Sequence, residues 1–130
     1  MIVVDASAVA HLLARGSGFR ALKQRLSSDP SWHAPQIVDL EVTQALRRKE
    51  ASGGLSPERA ARAIDALTKL PLTRWPHLPF VPRVWRLRSN LTPYDAAYVS
   101  LAEALDVPLI TSDRRIAGAS GHRARVELID

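Results

Sequence analysis

Residues 91–113 read LTPYDAAYVSLAEALDVPLITSD, and this stretch decides the fold. Thr92 and Pro93 are typical of a helix start, because a threonine side chain caps free N–H groups and proline fits the first helical position. The apolar spacing that follows predicts a helix running to about Leu105. A short apolar run then comes directly after the helix, which predicts a helix followed by a buried strand.

Two acids hold unusual places in this helix–strand unit. Asp95 lies on the same helical stripe as the apolar Tyr98 and Val99. The run 107–111 is β-branched and apolar, as in a parallel strand buried on both faces, and Asp113 follows it. Ligands of open α/β sheets bind beyond the carboxyl ends of the strands, so both acids are expected at a functional edge. Each also has an ordinary explanation, because Asp95 fits a capping box and Asp113 fits a turn.

The amino terminus repeats the pattern of a short apolar strand followed by an acid. The strand covers 2–4, Asp5 follows it, and a helix is predicted over 8–14. If this strand pairs in parallel with the later one, Asp5 and Asp113 meet at one edge, where the helix start adds positive potential. Asp5 has the alternative role of capping that helix, although Ser7 is also able to cap it.

Glu41 interrupts the apolar face of a helix predicted over 36–51. At ~100° per residue its direction falls inside the arc that contains Ile37 and Ala45. A glutamate on a buried face is costly unless it is paired or binds a cation, so this position requires a partner. A buried ion pair with one of the arginines is the alternative to a functional site.

The rest of the chain alternates further strands and helices. Helices are predicted over 18–26, 57–70 and 81–90, and strands over 32–34, 71–75 and 125–129. This alternation predicts an α/β fold with a parallel sheet of about five strands and helices on both faces. A length of 130 residues with 46% hydrophobic composition suits a single domain over 1–130.

Composition narrows the classes of function. The chain has no cysteine, which excludes disulfides, thiolate metal sites and a cysteine nucleophile. Lysine and arginine total 18 against 13 acids, and this net charge of +5 favours a polyanionic partner. The amino terminus has no basic leader and no apolar run reaches the length of a membrane span, so we expect a cytoplasmic protein without a membrane partner.

Four acids are predicted to meet at one edge of the sheet: Asp5, Glu41, Asp95 and Asp113. Carboxylates packed together repel each other, and a hard divalent cation relieves that repulsion. A site whose ligands are all oxygen atoms suits Mg²⁺ or Mn²⁺. These ions keep several bound waters, and a substrate phosphate completes their coordination. With a basic surface, this pattern predicts metal-assisted hydrolysis of a phosphodiester, with Ser7 and Thr111 binding a metal-bound water or a phosphate oxygen.

The order of these motifs resembles a PIN domain, and more narrowly a VapC-type toxin ribonuclease of a bacterial toxin–antitoxin pair. The motifs are VVDAS at 3–7, AP at 34–35 with Glu41 in the next helix, PYDAAY at 93–98 and LITSD at 109–113. They span nearly the whole chain. The resemblance implies a Rossmann-like PIN fold and an endoribonuclease that depends on Mg²⁺ or Mn²⁺. It also implies a homodimer silenced by a VapB-type antitoxin whose tail occupies the active-site groove.

The resemblance also implies roles for particular residues. On the matching positions, the metal-site acids are Asp5, Glu41, Asp95 and Asp113, with Ser7 and Thr111 as polar support. Arg114 and Arg115 follow the last acid directly, so they either contact RNA or are exposed by a helix start.

The three tryptophans are expected to pack in the core or in an interface rather than to stack on bases.

Competing functions fit the pattern less well. A phosphoacceptor receiver-type domain needs adjacent acids after its first strand and a lysine after a late one. A haloacid-dehalogenase-type phosphatase needs an Asp-x-Asp motif, where this chain has Ser7. A PIN-like module that binds RNA or protein without catalysis is the remaining alternative, although such a module has no reason to keep four acids that repel each other.

Overall fold

The computed structural model describes residues 1–129, and the predicted domain boundary at residue 130 lies just outside them. A five-stranded, fully parallel sheet forms the centre of the fold. Its strands are β1 (Ile2–Val4), β2 (Trp32–Pro35), β3 (Leu72–Trp75), β4 (Leu109–Thr111) and β5 (Val126–Leu128). This sheet confirms the α/β class and the parallel arrangement predicted from the sequence.

Seven α-helices connect these strands within residues 1–129. They are α1 (Ala6–Ala14), α2 (Phe19–Ser27), α3 (Val38–Ala51), α4 (Pro57–Lys69), α5 (Val81–Arg86), α6 (Pro93–Leu105) and α7 (Arg114–Ala117), with a 3-10 helix (Leu78–Phe80) before α5. The starts of α4 and α6 are the predicted ones. In each, the capping hydroxyl of Ser56 or Thr92 accepts a backbone N–H three residues on, at 3.2 Å.

Four predicted boundaries are wrong by two or more residues. Helix α1 begins two residues early, at Ala6, because Asp5 caps it rather than Ser7. Helix α5 ends at Arg86, because the next residues turn back so that the N–H groups of Asn90 and Leu91 both donate to the carbonyl of Leu87. Strand β4 and helix α3 each begin two residues later than predicted.

Strands β1 and β4 are neighbours at the point where the strand order reverses. The spatial order is β3-β2-β1-β4-β5, so the chain steps outward from β1 to β3 and then returns to the other side of β1. Right-handed crossovers therefore place α1 to α4 on one face and α5 and α6 on the other. Contacts agree with this, because α1 packs on α3 and α4 whereas α5 packs on α6. The carboxyl ends of β1 and β4 flank the crevice in which such sheets bind ligands.

The core lies between the central strands and these helices. All three residues of β1 are completely buried, as are Leu109 and Ile110 of β4. Every residue of α6 from Ala96 to Ala102 is buried, since the sheet covers one side of this helix and α5 packs on another. The centre of the sheet is thus a rigid base for side chains at its edge. Within residues 1–129, no helix has the length and apolar character needed to cross a membrane.

Candidate functional site

Asp5 is buried at the carboxyl end of β1 and accepts three hydrogen bonds. The N–H of Ala8 donates to Oδ1 at 2.9 Å, which makes Asp5 the N-cap of α1. The hydroxyl of Ser7 donates to the same oxygen at 2.7 Å, and the hydroxyl of Thr111 donates to Oδ2 at 2.6 Å. A carboxylate has about four acceptor positions, so one position on Oδ2 is left for a further ligand.

The same two hydroxyls join β1 to the end of β4. Ser7 Oγ and Thr111 Oγ1 lie 3.2 Å apart. The N–H of Ser112 donates to Ser7 at 3.0 Å, and the N–H of Asp113 donates to Thr111 at 2.9 Å. The sequence placed these hydroxyls beside the acids, and the structure shows that both bond to the Asp5 carboxyl group itself.

Burial raises the pKa of Asp5 to about 6, against an ordinary value of 3.8. The bonds from Thr111, Ala8 and Ser7 act in the opposite direction, and the negative charge of Asp113 adds to the rise. Without a cation, this carboxyl group is therefore only partly ionised near pH 6.

Glu41 lies in the first turn of α3 and its partner is a tyrosine. The hydroxyl of Tyr98, which is buried in α6, donates to Glu41 Oε1 at 2.7 Å. Burial raises the pKa of Glu41 and the nearby charge of Asp95 adds to this, while the Tyr98 bond opposes it. The pKa of Tyr98 is itself raised, mainly by burial and then by the charge of Glu41, so its hydroxyl keeps its proton. The ion pair with an arginine that was the alternative for Glu41 is absent from residues 1–129.

Asp95 and Asp113 have opposite electrostatic surroundings. Asp95 is half-buried in the first turn of α6, and burial followed by the charge of Asp113 raises its pKa. Asp113 caps α7 through the N–H of Arg115 and also pairs with the Arg115 guanidinium at 2.8 Å, which lowers the pKa of Asp113. The Arg115 side chain is 83% exposed, so the cation facing this acid is a surface group rather than a buried one.

The four acids act on each other electrostatically along the edge of the sheet. Asp113 raises the pKa of both Asp5 and Asp95, and Asp95 raises that of Glu41. Within residues 1–129, however, no three acidic or histidine side chains are close enough together to enclose a metal ion by themselves. An open row of oxygen ligands, three of which have raised pKa values, fits Mg²⁺, which keeps several waters and takes only one or two carboxylates directly.

Sequence reasoning missed three residues at this edge. Tyr98 was assigned only to the apolar stripe of α6, because spacing does not reveal where a hydroxyl points. Ser112 donates its backbone N–H into the Asp5 network, and its hydroxyl lies 3.1 Å from Nδ1 of His11. His11 also contacts the carbonyl of Ser17, so this ring links the end of β4 to the loop between α1 and α2.

The tryptophans divide into two groups. Trp32 and Trp75 are partly buried against the core, and Trp75 donates its ring N–H to His33 at 3.0 Å. Trp85 is 65% exposed, and the guanidinium of Arg88 lies over its ring. The prediction that it packs in the core is therefore wrong. Its place in an interface stays a prediction.

The sequence and fold of this chain were compared with those of known proteins. A model of the PIN domain family matches residues 2–121. Ribonuclease VapC1 of Mycobacterium tuberculosis (strain H37Rv) is 46% identical over 129 residues, which cover 98% of this chain and 96% of that protein.

Two solved structures share the fold at low sequence identity. VapC20 of Mycobacterium tuberculosis, a sarcin-ricin loop cleaving toxin, has a TM-score of 0.71 and 17% identity, covering 95% of this chain and 99% of that one. VapBC2 of Rickettsia felis, bound to a DNA fragment from its promoter, has a TM-score of 0.69 and 14% identity with full coverage of both chains. From the family match and the 46% identity, the chain belongs to the PIN-domain family, as one of its VapC-type ribonucleases.

Proposed function

We propose that this chain is an endoribonuclease that depends on Mg²⁺ or Mn²⁺ and hydrolyses RNA phosphodiester bonds at the edge formed by Asp5, Glu41, Asp95 and Asp113. One observation carries the proposal: four acids at four helix starts lie near one another at the switch point of the sheet, where burial and their negative charges raise the pKa values of Asp5, Glu41 and Asp95. The match to Ribonuclease VapC1 supports RNA as the substrate. The net charge of +5 supports a polyanionic substrate as well.

The same acids would hold the cation. Asp5 offers the free position on Oδ2, and Asp95 and Glu41 offer carboxylates that form no ion pair within residues 1–129. A bound divalent cation would supply a reactive water and neutralise the charge that develops on the phosphate oxygens.

The chain's own residues would then orient the reaction and move the protons. Hydrolysis would join a water oxygen to phosphorus and break the bond to the leaving oxygen, with one proton leaving the attacking water and one passing from solvent water to the leaving oxygen. Asp95, whose pKa is raised above its ordinary value by burial, suits the acceptance of the first proton. Tyr98 and the Ser7–Thr111 pair hold Glu41 and Asp5 in place, and Arg115 is exposed enough to turn from Asp113 to a phosphate.

The direct test is cleavage of a mixed cellular RNA pool by the purified chain. Wild type is expected to cut at discrete sites with Mg²⁺ or Mn²⁺ and to be inactive in EDTA. Asp95→Asn is expected to abolish cleavage and to keep the circular dichroism spectrum of the fold. Asp65→Asn is the matched control, because Asp65 is an exposed acid of α4 that pairs only with Lys69, and it should cut like wild type.

Two outcomes would contradict the proposal. If wild type and Asp95→Asn both bind RNA and neither cuts, the chain is a binding module without catalysis. If Asp95→Asn loses cleavage together with its folded structure, Asp95 supports the helix start and not the reaction.

A VapB-type antitoxin is the proposed protein partner, and a groove between three helices fits a segment with apolar and acidic side chains. This groove, of about 580 Å³, lies between α1, α2 and α4. Its floor is apolar, and its rim is basic, with Arg15, Lys23, Arg59 and Arg62. Apolar contact with complementary charge at the rim is the usual composition of a specific protein interface.

A homodimer in the cytoplasm completes the proposal. Leu78, Val81 and Trp85 form an exposed apolar stripe along the 3-10 helix and α5, and such stripes commonly mark protein interfaces. We expect sedimentation equilibrium to show a dimer, and Leu78→Asp to shift it toward the monomer. A wild-type monomer at all concentrations would contradict this part of the proposal.

A further inference from the structure

A second groove, of about 350 Å³, includes Glu41 in its lining and follows α3. Glu41, Gln44 and Arg48 share one face of that helix, at spacings of three and four residues, and all three line the groove. Tyr94, at the start of α6, lines it from the other side, and Leu40 of α3 also lines it. The groove therefore connects a proposed catalytic acid to side chains that the reaction does not use.

We propose that this groove binds one nucleotide of the RNA strand beside the cleaved bond, with Tyr94 stacking on the base and Arg48 contacting the phosphate. The inference rests on the proposed function for the identity of the strand. It goes further by assigning a base-binding subsite to residues outside the catalytic acids.

Stacking is the first argument. The side chains of Tyr94 and Leu40 are 58% and 69% exposed, although both present apolar surface to the groove. Tyr94 lies between Pro93 and Asp95, in the first turn fixed by the Thr92 cap, so its backbone position is rigid relative to the acids. An exposed aromatic ring held beside a reaction site is a suitable platform for an unpaired base.

The polar residues on α3 give the second argument. Gln44 carries an amide that both donates and accepts, which suits the edge of a base. Arg48 lies two turns beyond Glu41, about 10 Å along the helix at the usual rise per residue. A strand with its scissile phosphate at the acids would thus extend over the groove, with its next phosphate toward an exposed guanidinium.

A second copy of the chain is the other candidate occupant, and the groove's composition disfavours it. Its polar lining includes Glu41, and protein interfaces exclude charged groups from their centre. Covering that carboxylate with an apolar surface would also bury an acid whose pKa is already raised by burial. A nucleotide leaves the acid open to water and to a cation.

The test separates contact with bases from contact with phosphates. Fluorescence anisotropy would measure binding of short RNA oligomers of each nucleotide and of an abasic oligomer of equal length, with EDTA present so that nothing is cut. Wild type is expected to prefer a base-bearing RNA over the abasic oligomer by about tenfold, the usual contribution of one stacked base. Tyr94→Ala should lose that preference, Tyr94→Phe should keep it, and all three should bind the abasic oligomer equally.

Matched controls identify the surface. Trp85→Ala removes another exposed aromatic ring and should leave the preference unchanged. An oligomer that carries 4-thiouridine should form a photocrosslink that mass spectrometry maps to Tyr94. A preference that depends on Trp85 instead of Tyr94 would overturn the inference, as would one that no Tyr94 variant changes.

Two further outcomes separate this inference from its alternatives. If Tyr94→Ala converts a dimer to a monomer and leaves the base preference intact, the groove is an interface between copies and the inference is wrong. If wild type never cleaves RNA but the preference depends on Tyr94, the subsite stands and only the proposed catalysis fails.

Discussion

At the residue scale, Asp5 combines two roles that place opposite demands on one carboxyl group. It caps α1 and accepts two hydroxyl donors, which favours its charged form, while complete enclosure disfavours that form more strongly. The position of Asp5 after an apolar strand could be predicted from the sequence. The bonds from Ser7 and Thr111 could not, because they depend on side chains that are 104 positions apart in the chain meeting across two strands.

Asp5→Asn should change stability in a way that depends on pH. The folded pKa of about 6 lies above the ordinary 3.8, so ionising Asp5 in the folded state costs about 3 kcal/mol once the pH exceeds 6. Below pH 4 Asp5 is protonated in the folded and the unfolded state, so this cost is absent. The free energy of unfolding of wild type therefore falls as the pH rises from 4 through 6. Asparagine stays neutral and caps equally well. In urea unfolding with EDTA, the free energy of unfolding of the variant should therefore increase relative to that of wild type between pH 4 and pH 7. A difference between the two proteins that stays constant with pH would contradict the raised pKa of Asp5.

Tyr98→Phe should test whether the tyrosine positions Glu41. Loss of one hydrogen bond costs about 1 kcal/mol of folding free energy. Because the Tyr98 bond lowers the pKa of Glu41, its removal should raise that pKa further and move the pH–rate profile of RNA cleavage to higher pH. Tyr94→Phe removes an exposed hydroxyl and serves as the control, with no expected change. A stability loss without a shift in the profile would assign Tyr98 a structural role only.

At the element scale, the site is a collection of helix starts. Asp5 caps α1, Asp113 caps α7, and Glu41 and Asp95 lie in the first turns of α3 and α6. The positive end of each helix dipole favours a carboxylate, which partly offsets the mutual repulsion. Caps are local signals, so α4 and α6 could be predicted accurately. A helix start after Asp113 was one of the two explanations offered for Arg114 and Arg115, but the extent of α7 could not be predicted, because four residues are too few for a periodic pattern.

Thr92→Ala and Ser56→Ala form a matched pair of cap deletions. Each removes a hydroxyl that accepts a backbone N–H at 3.2 Å, and each should cost about 1 kcal/mol in urea unfolding. Only Thr92 positions the turn that carries Asp95, so only its variant should also lower the rate of RNA cleavage. Equal effects of both variants on cleavage would mean that lost stability alone explains the loss.

At the scale of the whole molecule, strand order determines which acids meet. The sequence shows an alternation of strands and helices, but the neighbour of each strand depends on packing between distant segments. From the sequence, the meeting of Asp5 and Asp113 could be predicted only if β1 paired with β4. The structure shows this pairing. The positions of all four acids at one edge follow from that pairing and from the helices that start there.

A divalent cation should stabilise the whole fold, because the acids come from four separate helices. Mn²⁺ at a hundredfold excess over its dissociation constant would add about 2.7 kcal/mol. The midpoint temperature of thermal unfolding of wild type should rise with Mn²⁺. It should remain unchanged with NaCl of equal ionic strength, which controls for the screening of charges. Asp95→Asn should show a smaller shift, and an equal shift in both would place the cation elsewhere.

The pairing of β1 with β4 also has a consequence for synthesis of the chain. Asp5 leaves the ribosome 106 residues before its partner Thr111. A nascent chain therefore cannot bring Asp5 and Asp113 to one edge until β4 has emerged and inserted beside β1. Because the proposed RNA cleavage needs all four acids, the ribosome and its message would not be exposed to it before β4 has been made.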